Sequence, residues 1–112
     1  MDRIKEKAIL FDIYKNLLTE HQRKIYSDVI ENDFSLSEIG EEFGISRQGV
    51  HDAVKRIDKI LAEYEEKLHF AENYQKNMDT VDKIKDEISI LSENGADCEK
   101  LGKLIDKLSE DL

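Results

Sequence analysis

The chain has 112 residues, of which 39% are apolar and 38% charged, with no proline, five glycines and a formal net charge of −9. Its length suits one compact domain with at most an appendage, and its charged share, well above the usual quarter, suits thin amphipathic helices rather than a thick core. An acidic field of this size excludes nucleic-acid binding through overall charge, so any such contact needs a local basic patch.

The acidic balance is equally compatible with a role in solubility alone. The single cysteine, Cys98, excludes an intrachain disulfide and a cysteine-based metal centre, and it fits a reducing cytosol. Charges interrupt the N-terminal segment every few residues, leaving no apolar run of signal-peptide or membrane-spanning length. The expectation is a soluble cytoplasmic protein with no membrane contact.

Residues 3–18 predict a first helix, with Leu10, Tyr14 and Leu17 at i, i+4, i+7 and Phe11 and Leu18 widening the stripe. Thr19 reads as an N-cap with Glu20 in the first turn behind it. A second helix over 20–31 turns Gln22, Tyr26, Val29 and Ile30 to one side, and Asn32-Asp33 ends it. Ser35-Leu36-Ser37-Glu38 has the form of a capping box. It opens a short helix over 36–43 with Leu36, Ile39, Gly40 and Phe43 inward, closed by Gly44.

Ser46 caps a long fourth helix that begins at Arg47. Val50, Val54, Ile57, Leu61, Tyr64, Leu68 and Ala71 step by four and three, the 3.5-residue period of a helix packed along another. That phase is lost after Ala71, which predicts a break near Asn73–Asn77. A further amphipathic stretch carries Met78, Val81, Ile84, Ile88 and Leu91 and ends at Gly95. Asp97 caps a last helix with Leu101, Leu104, Ile105, Leu108 and Leu112. The short connection predicts an antiparallel helical hairpin. No segment reads as a strand.

The most specific signal is LSEIGEEFGISRQGVHDAVKRI, residues 36–57. Two helices crossing steeply through a tight turn need a small residue at the crossing, here Gly40, and a turn residue tolerant of positive φ, here Gly44. Ile45 is expected to plug the turn into the core. Val50, Ala53, Val54 and Ile57 then face inward against Ile39 and Phe43. Arg47, Gln48, His51, Asp52 and Lys55 face outward.

Arg47 and Gln48 occupy the first turn, the part of a recognition helix that reaches base edges. Arginine suits guanine and glutamine suits adenine, each through two hydrogen bonds. Lys55, Arg56 and Lys59 are candidates for phosphate contacts further along. Residues 46–60 hold four cations, Arg47, Lys55, Arg56 and Lys59, against Asp52 and Asp58, a local net charge of +2 on an acidic chain. A solvated helix face carries the same residue types, and helix-turn-helix geometry also serves as a protein-contact scaffold, so both uses stay open.

The run LLTEHQRKIYSDVIENDFSLSEIGEEFGISRQGVHDAVKRIDKILAEYEEKL, residues 17–68, closely resembles the YlxM family of small bacterial proteins. The resemblance rests on LLTE-QR, D-SL-EI-EEF, SRQ-V-D and YE-KL, and it extends upstream through LFDIYKNLL. The helix-turn-helix is similar to region four of bacterial sigma factors, the part that reads a promoter element. The resemblance implies a regulator of, or accessory to, the signal recognition particle pathway, since such genes neighbour those of the targeting GTPases Ffh and FtsY. Gly49 and His51 depart from the family pattern, where alanine and tyrosine are common. Gly49 is expected to loosen the recognition helix, and residues 76–112 to match the family poorly.

Nothing predicts catalysis. His21, His51 and His69 lack metal-ligand spacing, there is no phosphate-binding glycine loop, and no nucleophile sits in a turn beside a base. No metal or cofactor is expected.

The reading is an all-α protein. Residues 1–72 form a helix-turn-helix bundle resembling sigma region four, with a long fourth helix, and residues 73–112 a C-terminal helical hairpin. The function is either that of a regulator binding nucleic acid, DNA ahead of RNA, or that of an adaptor contacting Ffh, FtsY or the particle RNA. The stripe from Val50 to Ala71 outruns a small bundle and would leave Leu61, Tyr64 and Leu68 partly exposed. This predicts a homodimer built from the long helix and the C-terminal helices.

Overall fold

Three hydroxyl side chains start three of the helices. In the computed structural model, which describes residues 3–112, Thr19, Ser35 and Ser46 have extended backbones and accept hydrogen bonds from the N–H groups of Gln22, Glu38 and Gly49. Gln22 and Glu38 reach back to the N–H groups of Thr19 and Ser35, so two complete capping boxes are present.

The elements are α1 (Arg3–Tyr14), a 3₁₀ turn (Lys15–Leu17), α2 (Glu20–Ile30), α3 (Leu36–Phe43), α4 (Arg47–Leu68), α5 (Phe70–Glu93) and α6 (Glu99–Asp111), with no strand among the described residues. The fold is all-α with a helix-turn-helix at α3–α4. It divides into one unit ending at Ala71 and a second from Glu72 to Leu112.

The first unit packs α1, α2 and α3 on α4. Phe11, Tyr14, Leu18, Tyr26, Ile57 and Leu61 form one buried cluster, and Ile25, Ile39 and Val50 form another, with Val54 packed against both. Removing each such side chain from water contributes about 1.5–3 kcal/mol. The Asp58 carboxylate ties three helices at the edge of this core. It accepts from the Tyr26 hydroxyl at 2.5 Å and from Lys7 Nζ at 3.1 Å. Burial, and secondarily Asp58, raise the Tyr26 phenol far above its ordinary value.

The helix crossing is as close as Gly40 implies. A Cβ there would stand 2.6 Å from the Ile45 carbonyl oxygen. Gly44 takes the left-handed conformation, φ 71°, and lets the Ile45 N–H turn back to the Gly40 carbonyl at 3.0 Å. Ile45 itself does not plug the turn: its backbone is held there while its side chain is 38% exposed.

Other expectations change as well. The 3₁₀ turn tightens the end of α1, so the phase slips and Leu18 is buried while Leu17 is exposed. Ile25 joins Tyr26 in the core of α2. Leu61 is buried, because α1 runs along α4 that far, and only Leu68 at the end of the stripe stands out.

The break falls at His69, not near Asn73–Asn77, and α5 runs unbroken through those residues. His69 caps α4 in the left-handed region, φ 56°. The Tyr14 hydroxyl then accepts the Phe70 N–H at 3.2 Å, and Glu65 Oε1 accepts both the Ala71 N–H at 2.9 Å and the Tyr14 hydroxyl at 2.6 Å. The first two amides of α5 are thus held by side chains of α1 and α4.

In the second unit, α5 ends in a Schellman turn. The Ala96 N–H bonds the Leu91 carbonyl, the Gly95 N–H bonds the Ser92 carbonyl, and Gly95 has φ 92°. The N-cap of α6 is Cys98, not Asp97 as expected, and its side chain makes no capping bond; Asp97 instead accepts the Glu99 N–H at 3.2 Å from one residue earlier. Lys85 meets Asp106 across the antiparallel hairpin at 3.9 Å, and Val81 and Ile105 are buried.

The same substitution is expected to have opposite signs at two glycines. At Gly40→Ala the new methyl meets backbone, and overpacking of about 1–3 kcal/mol outweighs the ~1 kcal/mol gain in helix propensity. At Gly102, in α6, nothing lies within 4 Å of a built Cβ, so Gly102→Ala keeps the propensity gain of about 1 kcal/mol. Urea denaturation checks the pair: midpoints moving in the same direction would mean that the crossing at Gly40 is loose.

A second test uses alkaline pH. The Tyr26 phenol is raised from 10.0 in the folded chain, so above that pH the unfolded chain gives up a proton that the folded chain keeps. Stability from this group is complete below pH 10 and falls as pH rises further. Tyr26→Phe lowers stability at pH 7 but flattens its decline above pH 10. An equally steep alkaline decline in the variant would remove Tyr26 as its source.

Candidate nucleic-acid interface

Phase along α4 decides what its outer surface can present. Val50, Ile57 and Leu61 are buried at 0–2% exposure, and this locks the helix about its own axis. Arg47, Gln48, His51, Lys55, Arg56 and Lys59 are all exposed. At 100° per residue, Gln48, Lys55 and Lys59 lie opposite the buried stripe, with His51 beside them. Arg47 and Arg56 fall on opposite flanks. The six residues thus form a stripe with two outliers rather than one dense patch. It extends roughly 18 Å along the helix at 1.5 Å per residue.

A carboxylate sits in the middle of this stripe. Asp52 accepts a hydrogen bond from Gln48 Nε2 at 3.0 Å and lies 3.7 Å from His51 Nδ1. The outward position of Asp52 follows from the sequence, but its pairing with Gln48 is an addition of the structure. Its i, i+4 spacing from Gln48 was the available signal, because residues four apart are neighbours on a helix surface. The glutamine amide is therefore already engaged, and a negative charge stands among the groups suited to phosphate. Among the described residues, Arg47, Lys55, Arg56 and Lys59 make no ion pair.

Gly49 packs closely against the cap at the start of α4. Its N–H reaches Ser46 Oγ at 2.9 Å, and a Cβ at this position would come within 3.2 Å of the same oxygen. An alanine here requires the capping hydroxyl to give way by a few tenths of an ångström. Glycine lets cap and helix approach directly, which offsets part of its propensity cost.

The preceding helix has the opposite charge. Glu38, Glu41 and Glu42 are exposed on α3. Desolvation and the neighbouring Asp28 carboxylate raise the Glu42 carboxyl above the usual range, with Lys24 opposing. The candidate surface is thus a cationic stripe on α4, while the exposed face of α3 is acidic, with Glu42 beside Asp28 and Lys24 of α2. Among the described residues no cluster of histidine, cysteine and carboxylate side chains is placed to hold a metal ion, and His21 packs edge-on against Phe43 at 5.4 Å. No described helix is long and apolar enough to cross a membrane.

Comparison with known proteins matches residues 1–101 to the family UPF0122, described as "Putative helix-turn-helix protein, YlxM / p13 like". A UPF0122 protein of Thermoanaerobacter sp. (strain X514) is 42% identical over 105 residues, covering 94% of this chain and 89% of that protein. One of Halalkalibacterium halodurans is 40% identical over 108 residues, covering 96% and 95%. One of Bacillus cereus (strain AH187) is 41% identical over 99 residues, covering 88% and 90%. The family match does not fade at residue 76 as expected but continues through α5 into α6, so most of the hairpin is a family feature. The fold, the helix-turn-helix sequence and these matches place the chain in the YlxM/p13-like helix-turn-helix family, UPF0122.

Proposed function

We propose that this chain is a non-enzymatic regulatory protein of the cytoplasm that binds DNA through the outer face of α4. The observation that carries the reading is the exposure of Arg47 and Gln48 in the first turn of a helix whose inner face is fully locked, followed by Lys55 and Lys59, which make no ion pair among the described residues. In this reading Arg47 reads guanine and Gln48 reads adenine after leaving Asp52. His51 borders the base-reading turn, and Lys55, Arg56 and Lys59 bind phosphate and set register. The regulated target lies in the signal recognition particle pathway, as the family resemblance implies.

A second reading is favoured by the acidic surface of α3, where Glu38, Glu41 and Glu42 are exposed in the same helix-turn-helix that carries the cationic stripe. Such a mixed surface suits an adaptor contacting Ffh or FtsY rather than the particle RNA, since carboxylates repel any phosphate backbone whereas a protein surface can match both signs. Binding measured side by side against DNA, the particle RNA and purified Ffh, each at two salt concentrations, separates the two. DNA binding that weakens steeply with salt supports the first; binding to Ffh alone supports the second.

Three variants test the assignment of roles. Arg47→Ala is expected to cost about 1–3 kcal/mol and to relax base preference, while Lys55→Ala weakens all sequences alike. Asp52→Asn keeps an acceptor for Gln48 but removes the central negative charge, and it should tighten binding by about 1 kcal/mol. If DNA affinity is the same in all three variants, the outer face of α4 is not the binding surface.

A further inference from the structure

The second unit leaves an apolar face uncovered. Ile84, Leu91, Leu101, Leu104 and Leu108 are each 40–56% exposed, although Val81 on α5 and Ile105 on α6, next to the paired Lys85 and Asp106 on their helices, are buried. Helical phase groups these five side chains. Ile84 and Leu91 lie roughly 60–80° round α5 from Val81, and Leu101, Leu104 and Leu108 lie roughly 40–100° round α6 from Ile105, in the same rotational sense. The helices run antiparallel, as the Lys85–Asp106 pair shows, and in an antiparallel pair the same sense on both helices is the same side. All five therefore line one side of the hairpin. Asp82, Asp86, Asp106 and Glu110 fall on the other side.

We propose that this face is an interface between two copies of the chain, which pair hairpin to hairpin as a four-helix bundle. A lone pair of helices has a seam one side chain deep, and a second layer is what turns such a seam into a core. The five side chains expose roughly 400 Å² per copy, and the stems of flanking residues extend the patch toward the ~800 Å² per partner of a stable interface.

The flanks favour self-pairing. Lys83 and Glu87 border the face on α5, and Lys107 and Asp111 border it on α6. Each edge thus carries both signs at i, i+4, which a two-fold axis can match against itself. A lipid surface would favour a cationic rim throughout, and Glu87 and Asp111 oppose that. The acidic reverse side repels further copies, so the association closes at two. Leu61 is buried within its own unit, so the interface takes the hairpin and not the long helix α4.

Sedimentation equilibrium of the full chain at micromolar concentration tests the proposal with three variants. The unmodified chain is expected to sediment as a dimer. Leu104→Glu should raise the dissociation constant by about a hundredfold or more, because it places a carboxylate at the centre of the buried face. Leu108→Lys repeats the test on the same face, and both positions are exposed enough in the single chain that helicity by circular dichroism should persist. Ile90→Glu, on a side of α5 outside this face, should leave the dimer intact. A monomeric mass for the unmodified chain at all concentrations overturns the proposal, whether its own chain or another protein covers the face. Variants at Leu104 and Leu108 that still dimerise, or an Ile90 variant that dissociates equally, also overturn it by putting the contact elsewhere.

Discussion

The carbonyl oxygen of Ile45 occupies the place where any residue other than glycine at position 40 would carry its side chain. That contact fixes how α4 leaves α3, and the rest of the first unit follows from it. With the crossing set, Val50 and Ile39 meet in one buried cluster, and Ile57 and Leu61 reach the other against α1 and α2. A wider crossing would lift Val50 off Ile39 before it disturbed anything on the outer surface.

The outer surface of α4 is therefore specified from within. Its residues need no contacts of their own to be oriented, because the buried stripe admits one rotation of the helix. Asp58 reinforces that choice by taking Tyr26 from α2 and Lys7 from α1 on one carboxylate. The energetic division is uneven: the apolar burial supplies most of the stability, and the half-exposed Lys7 pair adds little. The Tyr26 hydroxyl, in contrast, is buried and would cost free energy if left without a partner.

What could be read in the sequence was mostly local. Ser35, Glu38, Gly40, Gly44 and Ser46 each meet a requirement set by neighbours within a few residues, and the structure uses all five in that way. The readings that fail depend on a local change of helix type or on distant partners. Leu17, expected inward together with Leu18, is exposed because a single 3₁₀ turn resets the phase. The end of α4 is not legible locally because no residue at 70–72 has the form of a cap, the capping groups being Tyr14 and Glu65. On the candidate surface, the exposed cations were legible from periodicity. The restraint of Gln48 by Asp52 has an i, i+4 spacing, but which of its neighbours the glutamine amide meets is fixed only by side-chain geometry.

The way α5 begins also bears on the order of folding. Its first amide protons are held by a phenol on α1 and a carboxylate on α4. A helix with a local cap can form its first turn by itself; this one has to wait until α1 has docked along α4. Those protons should accordingly exchange with solvent only when the first unit opens as a whole, unlike the fraying amides of an ordinary helix end. The start of α5 thus reports on the integrity of a core built almost entirely from the residues before it.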